Sequence, residues 1–172
     1  MEKRTIRIIL YILFITFVTL ALGCGGDDKE TTPAGSGEGN GEPNNASDLF
    51  SALVRGKRFD ATGDNDWIVG SYENAALSLG AFDIEYGAQG AKIVLGLPGV
   101  QGPGTYTEET IVEAQLLFEE GTTIYAATRE GSPRVTLTSL SETGAKGTFE
   151  FTGFNMNGTS VDVREGVFDV TF

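Results

Sequence analysis

Residues 134–172 read RVTLTSLSETGAKGTFEFTGFNMNGTSVDVREGVFDVTF. Val135 and Leu137 alternate with Thr136 and Thr138, Phe149 and Phe151 alternate with polar residues, and Val161 and Val163 do the same. A period of two places alternate side chains on opposite faces of a strand, so each segment buries one face. Glu142-Thr143-Gly144 and Asn157-Gly158 punctuate the stretch, and Asn-Gly is the strongest short hairpin signal, predicting a type I′ turn. Phe168, Val170 and Phe172 resume the alternation with the parity shifted by one. An extra residue at Glu165-Gly166, that is a β-bulge, restores both apolar sets to one side.

The same rhythm extends back to Leu49. Phe50–Val54 is broken by Gly56 and answered by Phe59–Thr62. Trp67–Val69, Ala76–Asp83 and Lys92–Leu97 are short apolar runs, the last ending at Pro98-Gly99. Gln115–Phe118 and Thr122–Thr128 flank Glu120-Gly121. Many short strands with frequent turn signals predict one all-β domain over 49–172. The expected architecture is an antiparallel β-sandwich or lipocalin-like barrel of about eight strands. A single helical turn is expected over Glu108–Ala114.

Outside this domain the chain changes character. Ile8–Leu22 carries no charge and follows Lys3, Arg4 and Arg7, the form of a signal peptide spanning 1–23. A membrane-spanning helix needs about 20 apolar residues, so this run is short for a span. Residues 25–48, GGDDKETTPAGSGEGNGEPNNASD, contain no Leu, Ile, Val, Phe, Tyr or Trp. Such a segment cannot offset its ordering entropy by burial. With Cys24 it is read as a disordered acidic tether, reaching roughly 25–30 Å as a flexible coil.

Ala21-Leu22-Gly23-Cys24 resembles a bacterial lipobox, in which signal peptidase II cuts before a diacylglyceryl-modified cysteine. That resemblance implies lipidation of Cys24, the one cysteine of the chain. It also implies a membrane partnership through acyl chains, with palmitate as a typical fatty acid. Gly25 is not the Asp of an inner-membrane retention signal, and the acidic run after Cys24 is similar to an export signal. The implied location is the cell outer membrane, on either its periplasmic or its outer face. Within the domain, "FSALVRGKRFDAT", "GPGTY", "AKGTFEFTGFN" and "VREGVFDVTF" together resemble a family of short Bacteroidota-type lipoproteins of unknown function. These are turn-and-strand motifs, and the resemblance brings no catalytic residues with it.

The 172-residue chain has 12 Lys+Arg against 24 Asp+Glu, a formal net charge of −12, and no histidine. The signal segment is net +2, so residues 24–172 carry −14. This excludes histidine-dependent triads and His-ligated zinc. It also argues against a nucleic-acid partner, which needs a basic face. No cofactor motif stands out: Gly144-Ala145-Lys146-Gly147 lacks phosphate-loop spacing.

Candidate sites are each weighed against a plainer reading. Asp60, Asp64, Asn65 and Asp66 form the densest set of oxygen ligands, with Asp64 and Asp66 as weak calcium candidates. An acidic turn feeding the strand at Trp67 is preferred. Asp83 with Glu85, and Glu108 with Glu109, are local carboxylate pairs of the kind a glycan hydrolase would use across a cleft. With so many acids, such pairs arise by chance. Trp67, Tyr72, Tyr86, Tyr106 and Tyr125 could form a sugar-stacking platform, or could equally be core and rim aromatics. Arg55, Lys57 and Arg58 read as one solvated basic hairpin, and Asn157-Gly158-Thr159 as a turn rather than a glycosylation site. The expected function is a non-catalytic envelope module that binds an unknown protein or glycan. The alternatives are a small-ligand carrier with an apolar cavity and a carboxylate-based glycan hydrolase.

Overall fold

The structure, a computed structural model, describes residues 48–62, 66–87, 90–111, 113–118, 123–127 and 129–172. Cys24, the tether, Asp64 and Asn65 lie outside the described residues. Among the described residues there are eleven strands: β1 (Leu49–Val54), β2 (Lys57–Asp60), β3 (Trp67–Glu73), β4 (Ala76–Asp83), β5 (Ala91–Pro98), β6 (Gly104–Tyr106), β7 (Glu113–Phe118), β8 (Thr123–Ala126), β9 (Arg134–Ser141), β10 (Gly144–Phe154) and β11 (Ser160–Thr171).

They form one antiparallel sheet in the order β2-β1-β11-β10-β8-β7-β5-β4-β3, with β9 pairing β10 beside β8, and β6 pairing β9. The sheet curls into a half-barrel. The all-β expectation stands, with eleven strands rather than about eight. At three residues, β6 is too short to show an alternation in sequence. The curl brings β3 to β11: an added Cβ at Gly70 would lie 2.6 Å from a ring carbon of Phe172 and 3.0 Å from a methyl of Val170.

The concave face holds the core. Phe50, Phe59, Phe151 and Phe168 are fully buried, and Phe149 is nearly so. Phe50 lies with its ring centroid 5.0 Å from Phe149 and 6.3 Å from Phe168. Leu77, Leu79, Ile93, Leu95, Leu97 and Leu116 continue this layer across β4, β5 and β7.

The bulge read at Glu165-Gly166 is present. Phe149 pairs Gly166 and Phe151 pairs Val163, so Glu150 faces two residues of β11. Glu165 has φ 51°, and the shift lets Val161 and Val163 share the core with Phe168 and Val170.

Two turns differ from the sequence reading. Asn157-Gly158 is not a type I′ turn, because only Gly158 has positive φ there, at 76°, and type I′ needs two such residues. The Gly158 amide donates to the Asn155 carbonyl and the Asn155 amide to the Thr159 carbonyl, each at 3.0 Å. Asn155 Oδ1 accepts from the amides of Asn157 and Thr159. That side chain stabilises a longer, three-residue loop closed by a glycine bulge. Among the described residues, the two-residue turns with both φ positive are instead Arg55-Gly56 and Asn74-Ala75.

The helical turn expected over Glu108–Ala114 is a single turn ending at Ile111, whose amide and that of Thr110 both donate to the Thr107 carbonyl. Ala114 is already in β7, buried opposite Leu95. A 3₁₀ turn lies elsewhere, at Arg129–Gly131.

The C-terminal residues close the fold rather than fray. Val170 is 2% exposed, the Thr171 amide donates to Asp48 Oδ1, and the Phe172 amide donates to the Thr143 carbonyl. Deleting Val170–Phe172 is expected to cost about 3 kcal/mol or more, from lost burial and lost hydrogen bonds. An unchanged thermal midpoint in the truncated protein would contradict this placement.

Candidate functional site

Asp66 and Asp83 are structural acceptors. Asp66 is buried, and its Oδ1 accepts from the Ile84 amide at 2.8 Å. It ties the start of β3 to the β4–β5 loop, which fits the acidic-turn reading. Asp83 is also buried. Its Oδ2 accepts from the Asp60 amide and its Oδ1 from the Glu85 amide, each at 2.9 Å. Asp60 accepts from Arg58 and Thr62. Glu85, Glu108 and Glu109 are exposed. Both oxygens of Asp83 are thus engaged with backbone, which a nucleophile or general acid would have to give up.

The five aromatics of the supposed platform do not come together. Tyr72, Tyr86 and Tyr106 each donate their hydroxyl to a backbone carbonyl, of Val100, Val54 and Gly102. Tyr86 and Tyr125 are each 6% exposed. These two join Phe118 at one end of the half-barrel, where the basic hairpin lies over them. The Arg55 guanidinium is 5.4 Å from both the Phe118 and Tyr125 ring centroids and donates to the Tyr125 hydroxyl at 3.0 Å. The Lys57 ammonium is 4.7 Å from the Tyr86 centroid. The hairpin therefore caps a ring cluster through cation–π contacts, each worth roughly 0.5–1 kcal/mol when exposed. Burial pushes the Tyr86 phenol above its ordinary 10.0, with Arg55 opposing and Asp83 adding to the shift.

Asn157, Gly158 and Thr159 are exposed at the β10–β11 hairpin tip, in the turn role expected of them. Gly144–Gly147 is the start of β10, not a phosphate loop.

Trp67 alone of the five belongs to the convex face, and strand register shows what accompanies it. Paired residues point the same way, so one outward row runs Trp67, Phe82, Lys92, Leu117, Ile124 across β3, β4, β5, β7 and β8. The next runs Val69, Gly80, Val94, Gln115, Ala126. Val69 is 43% exposed and Ile124 44%, and Ile84, just beyond β4, is 45% exposed. Trp67 and Phe82 are stacked with centroids 6.0 Å apart and planes 20° from parallel. The Lys92 ammonium is 4.8 Å from the Trp67 ring centroid.

The other half of the convex face is built differently. Lys146 pairs Asp169 at 2.8 Å, Arg164 pairs Asp162 at 3.1 Å, and Arg134 approaches Glu150 at 3.7 Å. Thr148 and Thr152 lie between them on β10. Exposed pairs of this kind contribute at most about 1 kcal/mol each, so they mark a solvated surface. Phe82 and Lys92 do not stand out as partners of Trp67 in the sequence because β4 and β5 carry apolar residues on both faces, Phe82 and Val94 among the outward ones. Such runs read as buried strands; the outward residues become visible only once register is known.

Glu113 belongs to the third outward row, opposite Gly96. Burial raises its carboxyl above the ordinary 4.5, and the Lys92 charge partly opposes the shift. A raised folded-state pKa means that the folded state holds the proton more tightly than the unfolded chain does. This contribution to stability is present below the unfolded pKa and is lost as pH rises through the folded pKa. Glu113→Gln is therefore expected to raise the melting temperature at neutral pH and to narrow its gap to wild type at pH 4. A variant less stable than wild type at pH 7 would contradict the assignment.

A family of proteins sharing a domain of unknown function, DUF6252, matches residues 57–170. The chain belongs to the DUF6252 family. No curated protein and no solved structure matches it. The DUF6252 match runs from the start of β2 to the end of the core in β11, and takes in both halves of the convex face. β1 precedes the match but lies between β2 and β11 in the sheet. The folded unit around the DUF6252 region thus includes Leu49–Val54.

Proposed function

We propose that this protein is a lipid-anchored module of the bacterial outer membrane, held through Cys24 and a flexible acidic tether. In this reading it is a non-catalytic binding domain whose working surface is the apolar half of its convex face. The observation that carries the binding role is the division of that face. Outward residues on β3, β4, β5, β7 and β8 include Trp67, Val69, Phe82, Val94, Leu117 and Ile124, with Lys92 and Gln115 among them, whereas β9, β10 and β11 carry three outward ion pairs and two Thr beside a single exposed valine, Val167. Val69, Ile84 and Ile124, each more than two-fifths exposed, gather on the same half as Trp67, and a contiguous apolar patch of this kind marks an interaction surface. The phenylalanine-filled concave side gives no support to the carrier reading, which needs an apolar cavity of several hundred Å3. The engaged oxygens of Asp83 give none to the hydrolase.

Photocrosslinking in intact cells tests the binding role. A photoreactive residue replacing Ile124 should give defined adducts, and one replacing Thr148 on the polar half should not. Adducts from neither position, or equally from both, would contradict it.

A further inference from the structure

The apolar half-face includes a ledge with a definite shape. An added Cβ on Gly80 would touch the Trp67 ring at 3.4 Å, and one on Gly90 would be 2.8 Å from the Phe82 ring. Both rings therefore pack down over positions that have no side chain, and Gly90, with φ 90°, is a position that disfavours any other residue. The result is two nearly parallel rings with an ammonium over one of them, Trp67. Ser71 and Ser78 share the third outward row with Glu113.

Size decides what kind of partner fits. Five strands at about 4.8 Å spacing make the row about 19 Å wide, and three outward positions along a strand add about 13 Å. That is at most a few hundred Å2, against about 800 Å2 per partner in a standard protein interface. A second copy of the chain, or a globular protein, would need more dry surface than this.

Charge narrows the choice further. A chain of net −12 repels a polyanion, while one Lys, one Glu and two Ser offer hydrogen bonds without a strong field. A hexose has an apolar C–H face to lie on an aromatic ring and a rim of neutral hydroxyls for such groups.

We infer that the Trp67–Phe82 ledge, with the Lys92 ammonium set over the Trp67 ring, binds a neutral saccharide chain by stacking. This rests on the binding role proposed above and names the ligand class for that same face. Trp67 and Phe82 carry the C–H contacts, Lys92 donates to hydroxyl oxygens, and Glu113 accepts from hydroxyls. Loss of one aromatic contact of this kind costs about 0.5–1.5 kcal/mol, or roughly two- to tenfold in affinity.

Trp67 is the only tryptophan in the chain, so its fluorescence reports on the ledge alone. The detergent-solubilised full-length mature protein is titrated with cellohexaose, xylohexaose, maltohexaose and chitohexaose. A saturable change in Trp67 emission with at least one of them is expected. It should be weakened about two- to tenfold in Phe82→Ala and in Lys92→Ala, and unchanged in Thr148→Ala. Lys92→Ala removes no core contact, so it keeps the test valid if Phe82→Ala folds poorly. The absence of any change with all four sugars up to about 10 mM, a weak-binding limit near −3 kcal/mol, would overturn the inference. So would a response that neither variant alters. Protein adducts from position 124 without a sugar response would remove the saccharide and leave the binding face; no adducts and no sugar response would remove both.

Discussion

Phe168→Ala is expected to destabilise the domain by about 3–5 kcal/mol, a fall in melting temperature of roughly 10–20 °C. Phe168 is fully buried, and its ring lies 6.3 Å from those of both Phe50 and Phe149. The three rings come from β11, β1 and β10, so removing one leaves a cavity shared by three strands that cannot collapse independently. Total stability of a domain this size is typically about 5–15 kcal/mol, and the loss would take a large part of it. Val167 is the control: it is the preceding residue, points to the other face, and is 37% exposed. Val167→Ala should change stability by about 0.5 kcal/mol or less. Urea melts of the two variants check the face assignment, because a strand slipped by one residue would exchange their effects. Similar losses in both would contradict the register.

Gly147→Ala is expected to be at least as damaging, about 3 kcal/mol or more, for a different reason. Gly147 is buried on β10, where a Cβ would run into the Thr136 carbonyl of β9 and lie 2.9 Å from the Phe168 ring. A backbone carbonyl in a paired strand cannot rotate away, so the strands must separate or the ladder must break. Gly56→Ala provides the contrast. Gly56 has φ 74° but nothing within 4 Å of the added atom, so only the left-handed backbone penalty applies, about 1–2 kcal/mol. Melting the two variants side by side separates a packing glycine from a turn glycine. Equal losses would mean that β9 and β10 do not approach as closely as described.

Both residues illustrate what could be read in the sequence and what could not. The alternation of Val161, Val163, Phe168 and Val170, with its parity change, was enough to predict a bulge at Glu165-Gly166, because a half-buried strand must keep its apolar residues on one side. Glycine roles were less readable. Asn157-Gly158 looked like the strongest two-residue turn, yet the Asn155 side chain holds a three-residue loop there. Gly147 gave no signal, because close approach between strands depends on a partner 11 residues away whose register is not local. Arg55-Gly56 is legible as a hairpin break between β1 and its return strand, but not as the turn in which both residues take positive φ.

The candidate site divides in the same way. Residue type alone points to Trp67 and equally to Tyr72, Tyr86, Tyr106 and Tyr125, and sheet order scatters the five. Phe82 and Lys92, the neighbours that matter, lie in strands with apolar residues on both faces, where alternation is a weak guide. Asp66 and Asp83 looked like ligands or catalysts because they are acids. Their burial against backbone amides comes from the curl of the sheet, which joins β2, β3 and the β4–β5 loop.

The proposed function depends most on the domain being held at the outer membrane by lipid on Cys24, so that its convex face works while tethered. Fractionation of cells producing wild type and Cys24→Ala measures this directly. The wild-type protein should sediment with the outer membrane, and the Cys24→Ala protein should be recovered in the soluble or inner-membrane fraction. A Cys24→Ala protein that still sediments with the outer membrane would contradict the lipid anchor and the function proposed from it.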